Sequence, residues 1–484
     1  GELADTKYLA LWDDGSCVLK NINTKGASSI YMFYRAFMDG TTMTIKKNNA
    51  KGEILTQFKV DKTDGNGIRK IPFKTINEPI DLYFEANNDR IAKQVSTSHI
   101  SWFAFLSDIP GTAEAGYEQI NQSFIELLNT QTQELPIMVE NRSDMARVTQ
   151  IFERGNWLIL ADTVQPGTPK ILNAYDDAWP KNRLGLSKWL VSKENPLTAR
   201  TMVNRVWHQV FGRGIVASLE DMGTQSDPPS HPALLDWLSL RFMNEQNWSM
   251  KALITEIVMS GTYRQSSIVT PELYQKDPNN ELYARGPRIR LTAEEIRDQA
   301  LAVSGLLSKK MYGPGVMPPQ PDGVWQSVYS NESWVESKGK DKYRRAIYTY
   351  LKRTSPYPSF ITFDAGSREV CTIRRTVTNT PLQALVTLND PVYLEAAYSF
   401  AKLMDMDDVE KGISSGFKKA TFSEIDPEEL AILKSLYDQA MVEFSAGAYE
   451  ENFLGLKEKP SSKLAALTIV ANAIMNLDEF LTKA

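Results

Sequence analysis

The hydrophobic period changes once along this chain, and that change limits the fold more than any other feature. Up to about residue 107, apolar and aromatic residues alternate with polar ones. "SSIYMFYRAF", "TTMTIKK", "ILTQFKV", "IDLYFEA" and "ISWFAFL" each place successive side chains on opposite faces of a strand. Turn-forming stretches separate them: "DDG" at 13–15, "NNAKG" at 48–52 and "DKTDGNG" at 61–67. Short strands at this spacing predict an antiparallel β-sandwich of jelly-roll type over 1–110. In "SWFAFL", Trp102 and Phe103 alternate, so one of them is expected in the core.

From about residue 116 the period becomes that of helices. "GYEQINQSFIELLNTQTQEL" reads as a polar-faced helix, and the stretch up to about 180 as a lead-in with short-strand character. From 181 to 484 the chain reads as a mainly α-helical domain. In "NPLTARTMVNRVWHQVFGRG", Met202, Val203, Val206, Trp207, Val210 and Phe211 share one face, and Gly212 and Gly214 punctuate its end. Ser230 and Ser249 stand where they would cap the helices that follow them. Thr292 with Glu295 spells a reciprocal capping box, and Thr380–Pro381 with Gln383 repeats it; Asp390–Pro391 opens another helix.

Bulk properties exclude several classes. The net charge of -5 gives no general attraction to nucleic acid, and no apolar run reaches the roughly 18 residues of a membrane span. With three histidines (His99, His208, His231) and no CxxC, CxxCH, HExxH or P-loop, no metal site is expected. Cys17 and Cys371 fall in different expected domains, which rules out a disulfide framework. The chain opens on Gly1 without a signal segment and reads as a piece of a longer polypeptide.

Polar residues crowd a few stretches. His208 follows Asn204 by four residues on one helix, beside Arg205; without a nearby carboxylate it reads as a structural or hydrogen-bonding group. His231, between Ser230 and Pro232, reads as part of a helix start. Arg344, Arg345, Lys352 and Arg353 suit either a solvated face or an ion-pair network. Asp364, Arg368, Glu369, Arg374 and Arg375 place both signs within twelve residues, as a neutralising network would. Among them Cys371 is a candidate thiolate, because the arginines favour its ionisation, but it reads better as a buried structural cysteine.

Two resemblances follow from longer motifs. "LWDDGSCVLKNINTKGASSIYMFYRA", "KGEILTQFKVDKTDGNG", "DLYFEA" and "ISWFAFL" resemble a family-6-like carbohydrate-binding module. Where such modules commonly carry a tryptophan, this chain has Ile68 and Arg69. Trp12, Asp13 and Asp14 could still form a sugar-binding rim, although Trp12 also reads as a partly buried strand residue. "NPLTARTMVNRVWHQVFGRGIV", "LEDMGTQSDPPSHPALLDWL" and "YRRAIYTYLKRTSPYPSFITFDAGSREVCTIRRTVTNTPLQALVTLNDP" resemble the planctomycete-type cytochrome-C-associated PSD domain over about 180–484. Full-length members of that family resemble exported proteins with c-type haem domains upstream, beside polysaccharide-degradation systems. The resemblance therefore implies a periplasmic or cell-surface protein that binds glycan or scaffolds a haem domain of the same chain. Any haem would lie outside this stretch.

No catalytic residues come with that resemblance. Its motifs mark a candidate surface: Arg205, His208, Asp221, His231, Arg264, Arg353, Asp364, Arg368, Glu369, Arg374 and Asn379. The alternative is a carbohydrate-directed oxidoreductase or hydrolase built on these loops. Convergence of His208 or His231 with Asp364 and Arg368 in one cleft would mark it.

Overall fold

The computed structural model describes residues 2–4, 8–89, 95–130, 137, 138, 140, 148–321, 323, 333–447 and 460–483. The chain divides into two compact units, Gly1–Arg142 and Ser143–Ala484.

The first unit is a β-sandwich. Its strands are β1 (Glu2–Ala4), β2 (Tyr8–Trp12), β3 (Gly15–Ile22), β4 (Ser29–Ala36), β5 (Thr41–Lys47), β6 (Ile54–Val60), β7 (Gly67–Pro72), β8 (Ile80–Asn87) and β9 (Ser96–Leu106). They form one sheet in the order β1-β2-β9-β4-β7 and another in the order β3-β8-β5-β6. All described pairings are antiparallel. The period-two pattern is the cause: in β8, Ile80, Leu82, Phe84 and Ala86 are buried while Asp81, Tyr83 and Glu85 are less so. These residues meet Ile30, Met32, Tyr34, Met43, Ile45 and Ile100 between the sheets. Each fully buried Ile, Leu, Met or Phe among them contributes about 1.5–3 kcal/mol. The turn at 48–52 requires glycine, since a Cβ on Gly52 would lie 1.7 Å from the Lys47 carbonyl oxygen.

Helix α1 (Tyr117–Leu128) lies against the outward face of the first sheet. Phe124 meets the Tyr31 ring edge-on at 6.0 Å, and Asn129 Oδ1 accepts from the Ile68 amide at 2.7 Å. That bond satisfies a donor on β7, the edge of its sheet, where open amides invite unwanted pairing.

The second unit opens with a two-stranded hairpin, β10 (Thr149–Phe152) and β11 (Leu160–Val164). Helices follow: α2 (Arg183–Leu190), α3 (Thr198–Phe211), α4 (Pro232–Asn244), α5 (Met250–Met259), α6 (Pro271–Lys276), α7 (Ala293–Val303), α8 (Pro358–Thr362), α9 (Pro381–Asn389), α10 (Pro391–Ala401), α11 (Val409–Thr421), α12 (Pro427–Ser445), α13 (Ser462–Ile474) and α14 (Asp478–Leu481). One core gathers Val203, Trp207, Phe211, Leu238, Phe242 and Leu253 from α3, α4 and α5. A larger one centres on α7, α10 and α13. In α13, Ala465, Ala466, Leu467, Val470 and Ala471 are all fully buried, as expected for a helix that is apolar all round. A short pairing of β12 (Ile289–Arg290) with β13 (Thr482–Lys483) ties the two cores: Lys483 Nζ donates to the Val210 carbonyl at 2.9 Å.

Most helix signals act as the sequence predicts. Gly212 ends α3 with φ 74°, Ser249 caps α5, and Thr292 and Glu295 close their box on α7. Asp390 caps α10 through the Val392 amide at 2.9 Å. At α9, Gln383 Oε1 accepts from the Thr380 amide at 3.4 Å. Ser230 differs: the α4 start has no side-chain cap, because the Ser230 hydroxyl and amide both donate to the Ile215 carbonyl.

Candidate functional site

On the outward face of the first sheet, β4 presents Tyr31, Phe33 and Arg35, because Ile30, Met32, Tyr34 and Ala36 point into the core. The register sets Phe33 opposite both Trp102 on β9 and Ile68 on β7. Phe33 and Trp102 stack with centroids 5.7 Å apart at 22°, and Trp102 stays 40% exposed. Its neighbour Phe103 points inward and packs on Phe84. Further along the same face Arg35 is opposite His99, whose ring stacks on Tyr8 at 4.0 Å. Burial and then Arg35 hold the His99 pKa below its usual value. α1 covers Tyr31 and ends beside Ile68, while further along the face Trp102 stays exposed on the half-buried Phe33 and the exposed Arg35 lies over the Phe37 ring.

Trp12, at the end of β2, is half-buried. The Asp13 carboxylate accepts from the Asn88 amide at 2.7 Å, and Asp14 from Asn87 Nδ2 at 3.0 Å. Both acids tie the 13–15 turn to the end of β8.

In the helical unit the segment between α8 and α9 is held from its ends. Asp364, with φ 60°, accepts from the Thr378 amide at 2.9 Å, the Thr378 hydroxyl at 2.8 Å and Arg290 Nη2 at 2.5 Å. Arg290 also reaches Gln383 Oε1 at 2.9 Å and the Thr378 carbonyl. Burial works to raise the Asp364 pKa, but the Arg290 and Thr378 bonds outweigh it and hold the carboxyl below its usual range. Arg375 grips Glu294 in a bidentate pair at 2.6 and 2.9 Å, with Arg368 4.0 Å away. Glu294 sits in the first turn of α7, where the helix dipole favours a negative charge. Its pKa, too, is lowered: burial opposes, and Arg375 prevails.

Arg374 reaches Glu220 at 3.7 Å, and both act on His208. Burial first, then Arg374, lowers the His208 pKa against a contrary pull from Glu220. Among the described residues neither His208 nor His231 shares a hydrogen bond or ion pair with Asp364 or Arg368. His231 Nδ1 lies 3.0 Å from the Ser230 hydroxyl, and its ring is 5.6 Å from Tyr283. Asp221 accepts from the Gly223 amide at 2.6 Å, and Arg264 Nε donates to the Ser260 carbonyl at 3.4 Å. Glu369, Arg353 and Asn379 are exposed, and Arg205 is half-buried with its Nε unpartnered. Cys371 is exposed, contrary to the expected burial. The segment is pinned through Asp364 and Arg375, so its middle stays in water. Cys17 is half-buried in β3, and burial pushes its thiol up.

Deeper in the same unit, α10 starts on Asp390, a residue only 6% exposed. Burial pushes its pKa up to about 6, against the opposing Val392 amide and Arg297. Among the described residues no group of three or more His, Cys, Asp or Glu side chains is arranged to hold a metal ion. No described helix is long and apolar enough to cross a membrane.

A β-sandwich followed by a helical unit with ion-paired loops defines a two-module protein. Residues 182–437, more than half of the chain, match the family PSD1, described as "Protein of unknown function (DUF1553)", and the chain belongs to that family. No curated protein matches the chain. Among solved structures it is similar to a glycoside hydrolase family 43 arabinoxylan arabinofuranohydrolase from Bacillus subtilis in complex with cellotetraose. That likeness has 12% identity, covers 20% of each chain and has a TM-score of 0.18, so the chain spans a fifth of the hydrolase's length. It is also similar to CsCBM6-3 from Clostridium stercorarium in complex with cellobiose (16% identity, 21% of this chain, 80% of that one, TM-score 0.18). A third similar structure is a β-1,3-glucan binding CBM6 from Bacillus halodurans (18% identity, 20% and 73%, TM-score 0.18).

Proposed function

We propose that this protein binds polysaccharide through its β-sandwich, while its helical unit scaffolds a c-type haem domain upstream in an exported, cell-envelope protein. The observation that carries the glycan half is the outward Phe33–Trp102 stack. Sugar rings bind through apolar contact between their C–H faces and aromatic faces, and the polar groups around such a platform orient their hydroxyls. Arg35 supplies donors on the same face. The haem and export parts rest on the sequence resemblance of the helical motifs, and periplasmic fractionation of the native protein, with haem staining, tests them.

Affinity electrophoresis through gels of neutral and acidic polysaccharides tests the glycan half. The protein is retarded by at least one of them, and Trp102→Ala removes the retardation with the fold intact. Free migration through every gel removes this reading.

A further inference from the structure

The hairpin β10–β11 is built as though something else should cover it. Ile151, Phe152, Trp157, Leu158, Ile159 and Leu160 are all exposed, Trp157 at 71% and Leu158 at 69%. A two-stranded hairpin alone is marginal in water, and contiguous apolar patches beyond a few hundred Å2 mark interaction sites. Phe152 pairs with Leu160 and Thr149 with Val164, which leaves one edge of each strand free to pair again.

We propose that residues 148–164 form a self-association surface occupied by the same hairpin of a second copy of this chain. Three observations select that occupant. The first is area: the open faces of Trp157 and Phe152 alone amount to on the order of 250 Å2. With the aliphatic neighbours the patch reaches roughly 800 Å2, which is what one partner contributes to a standard stable interface. The second is charge: the hairpin carries Glu153, Arg154 and Asp162, so it offers no strong field to a highly charged partner. A second copy presents the same near-neutral surface, so no net charge opposes its approach. The third is the backbone: antiparallel edge pairing about a two-fold axis joins two hairpins into one four-stranded sheet and satisfies the open amides together with the apolar faces.

Sedimentation equilibrium of the whole chain between about 1 and 200 μM tests this, a range that covers micromolar dissociation constants. The expected result is twice the monomer mass at the upper end. The double variant Trp157→Asp with Leu160→Asp should weaken the dimer at least 100-fold without lowering the melting temperature measured at dilutions where both proteins are monomeric, because both side chains are exposed in the monomer. Ile432→Asp, an equally exposed apolar position on α12, serves as the control and should leave the dimer intact. A wild-type chain that stays monomeric throughout overturns the proposal, whether the hairpin is then found bare or covered from within its own chain. A dimer that survives the double variant overturns it as well.

Discussion

The two units use their polar and aromatic residues in opposite ways. In the helical unit Asp364, Arg368, Arg374 and Arg375 each approach another charged group of that unit. In the β unit the exposed Trp102, stacked on the half-buried Phe33, and the exposed Arg35 lie on the outward face of a sheet. The denser motif is therefore the more self-contained one. A crowd of charges marks a network at least as readily as a reactive centre, since opposite charges within a short segment find one another first.

The largest expected effect attacks the helical network. Arg290→Met leaves Asp364 as a mostly buried carboxylate without its cation, at 14% and 18% side-chain exposure for the pair. Losing one partner of such a pair should cost about 3 kcal/mol in urea unfolding of this unit. A loss under about 0.5 kcal/mol, the range of ordinary surface substitutions, would mean that the segment is not held as described.

Next comes Asp390→Asn, which keeps an N-cap acceptor but removes the ionisation. The folded pKa of about 6 lies above the unfolded value. Stability from this group is therefore complete below the unfolded pKa and declines as pH rises from about 4 to about 6. At pH 7.5 the variant should be more stable by about 3 kcal/mol, with the difference vanishing near pH 4. Asp364 and Glu294 behave oppositely: their lowered pKa values make them stabilising above about pH 4, and that contribution is lost as pH falls through their folded values. Chemical denaturation across pH 3.5–8 separates the two signs.

Smaller effects sharpen the contrast. Trp102→Ala should weaken polysaccharide binding at least tenfold, about 1.4 kcal/mol, by affinity electrophoresis. Thr292→Ala opens the α7 capping box and should cost about 1 kcal/mol in thermal unfolding. Cys371→Ser should change stability by less than about 0.5 kcal/mol, since the thiol is exposed.

What the sequence made legible follows the range of each interaction. The strands "SSIYMFYRAF" and "IDLYFEA" and the caps Ser249, Thr292 and Asp390 depend on neighbours a few residues away, and they stand where the pattern puts them. Alternation in β4 also separated Tyr31, Phe33 and Arg35 from Ile30, Met32 and Tyr34. Which set faces water is decided by the second sheet, so alternation alone does not single out Phe33 and Arg35. The partners of the charged segment were hidden for a similar reason. Arg290 is 74 residues from Asp364, and Glu294 is 81 from Arg375. Cys371 lies in water, not in the core as its sequence setting predicts, because the segment is held at its flanks through Asp364 and Arg375 and these long-range bonds leave its middle open.

One comparison tests the whole division of labour: affinity of the intact chain for a polysaccharide that retards it, measured for Trp102→Ala beside His208→Ala and Arg374→Ala. The account predicts that the tryptophan variant loses binding and the other two keep it within about twofold, less than about 0.5 kcal/mol. Retention in Trp102→Ala with loss in His208→Ala or Arg374→Ala would contradict it, and would move the working surface to the helical unit.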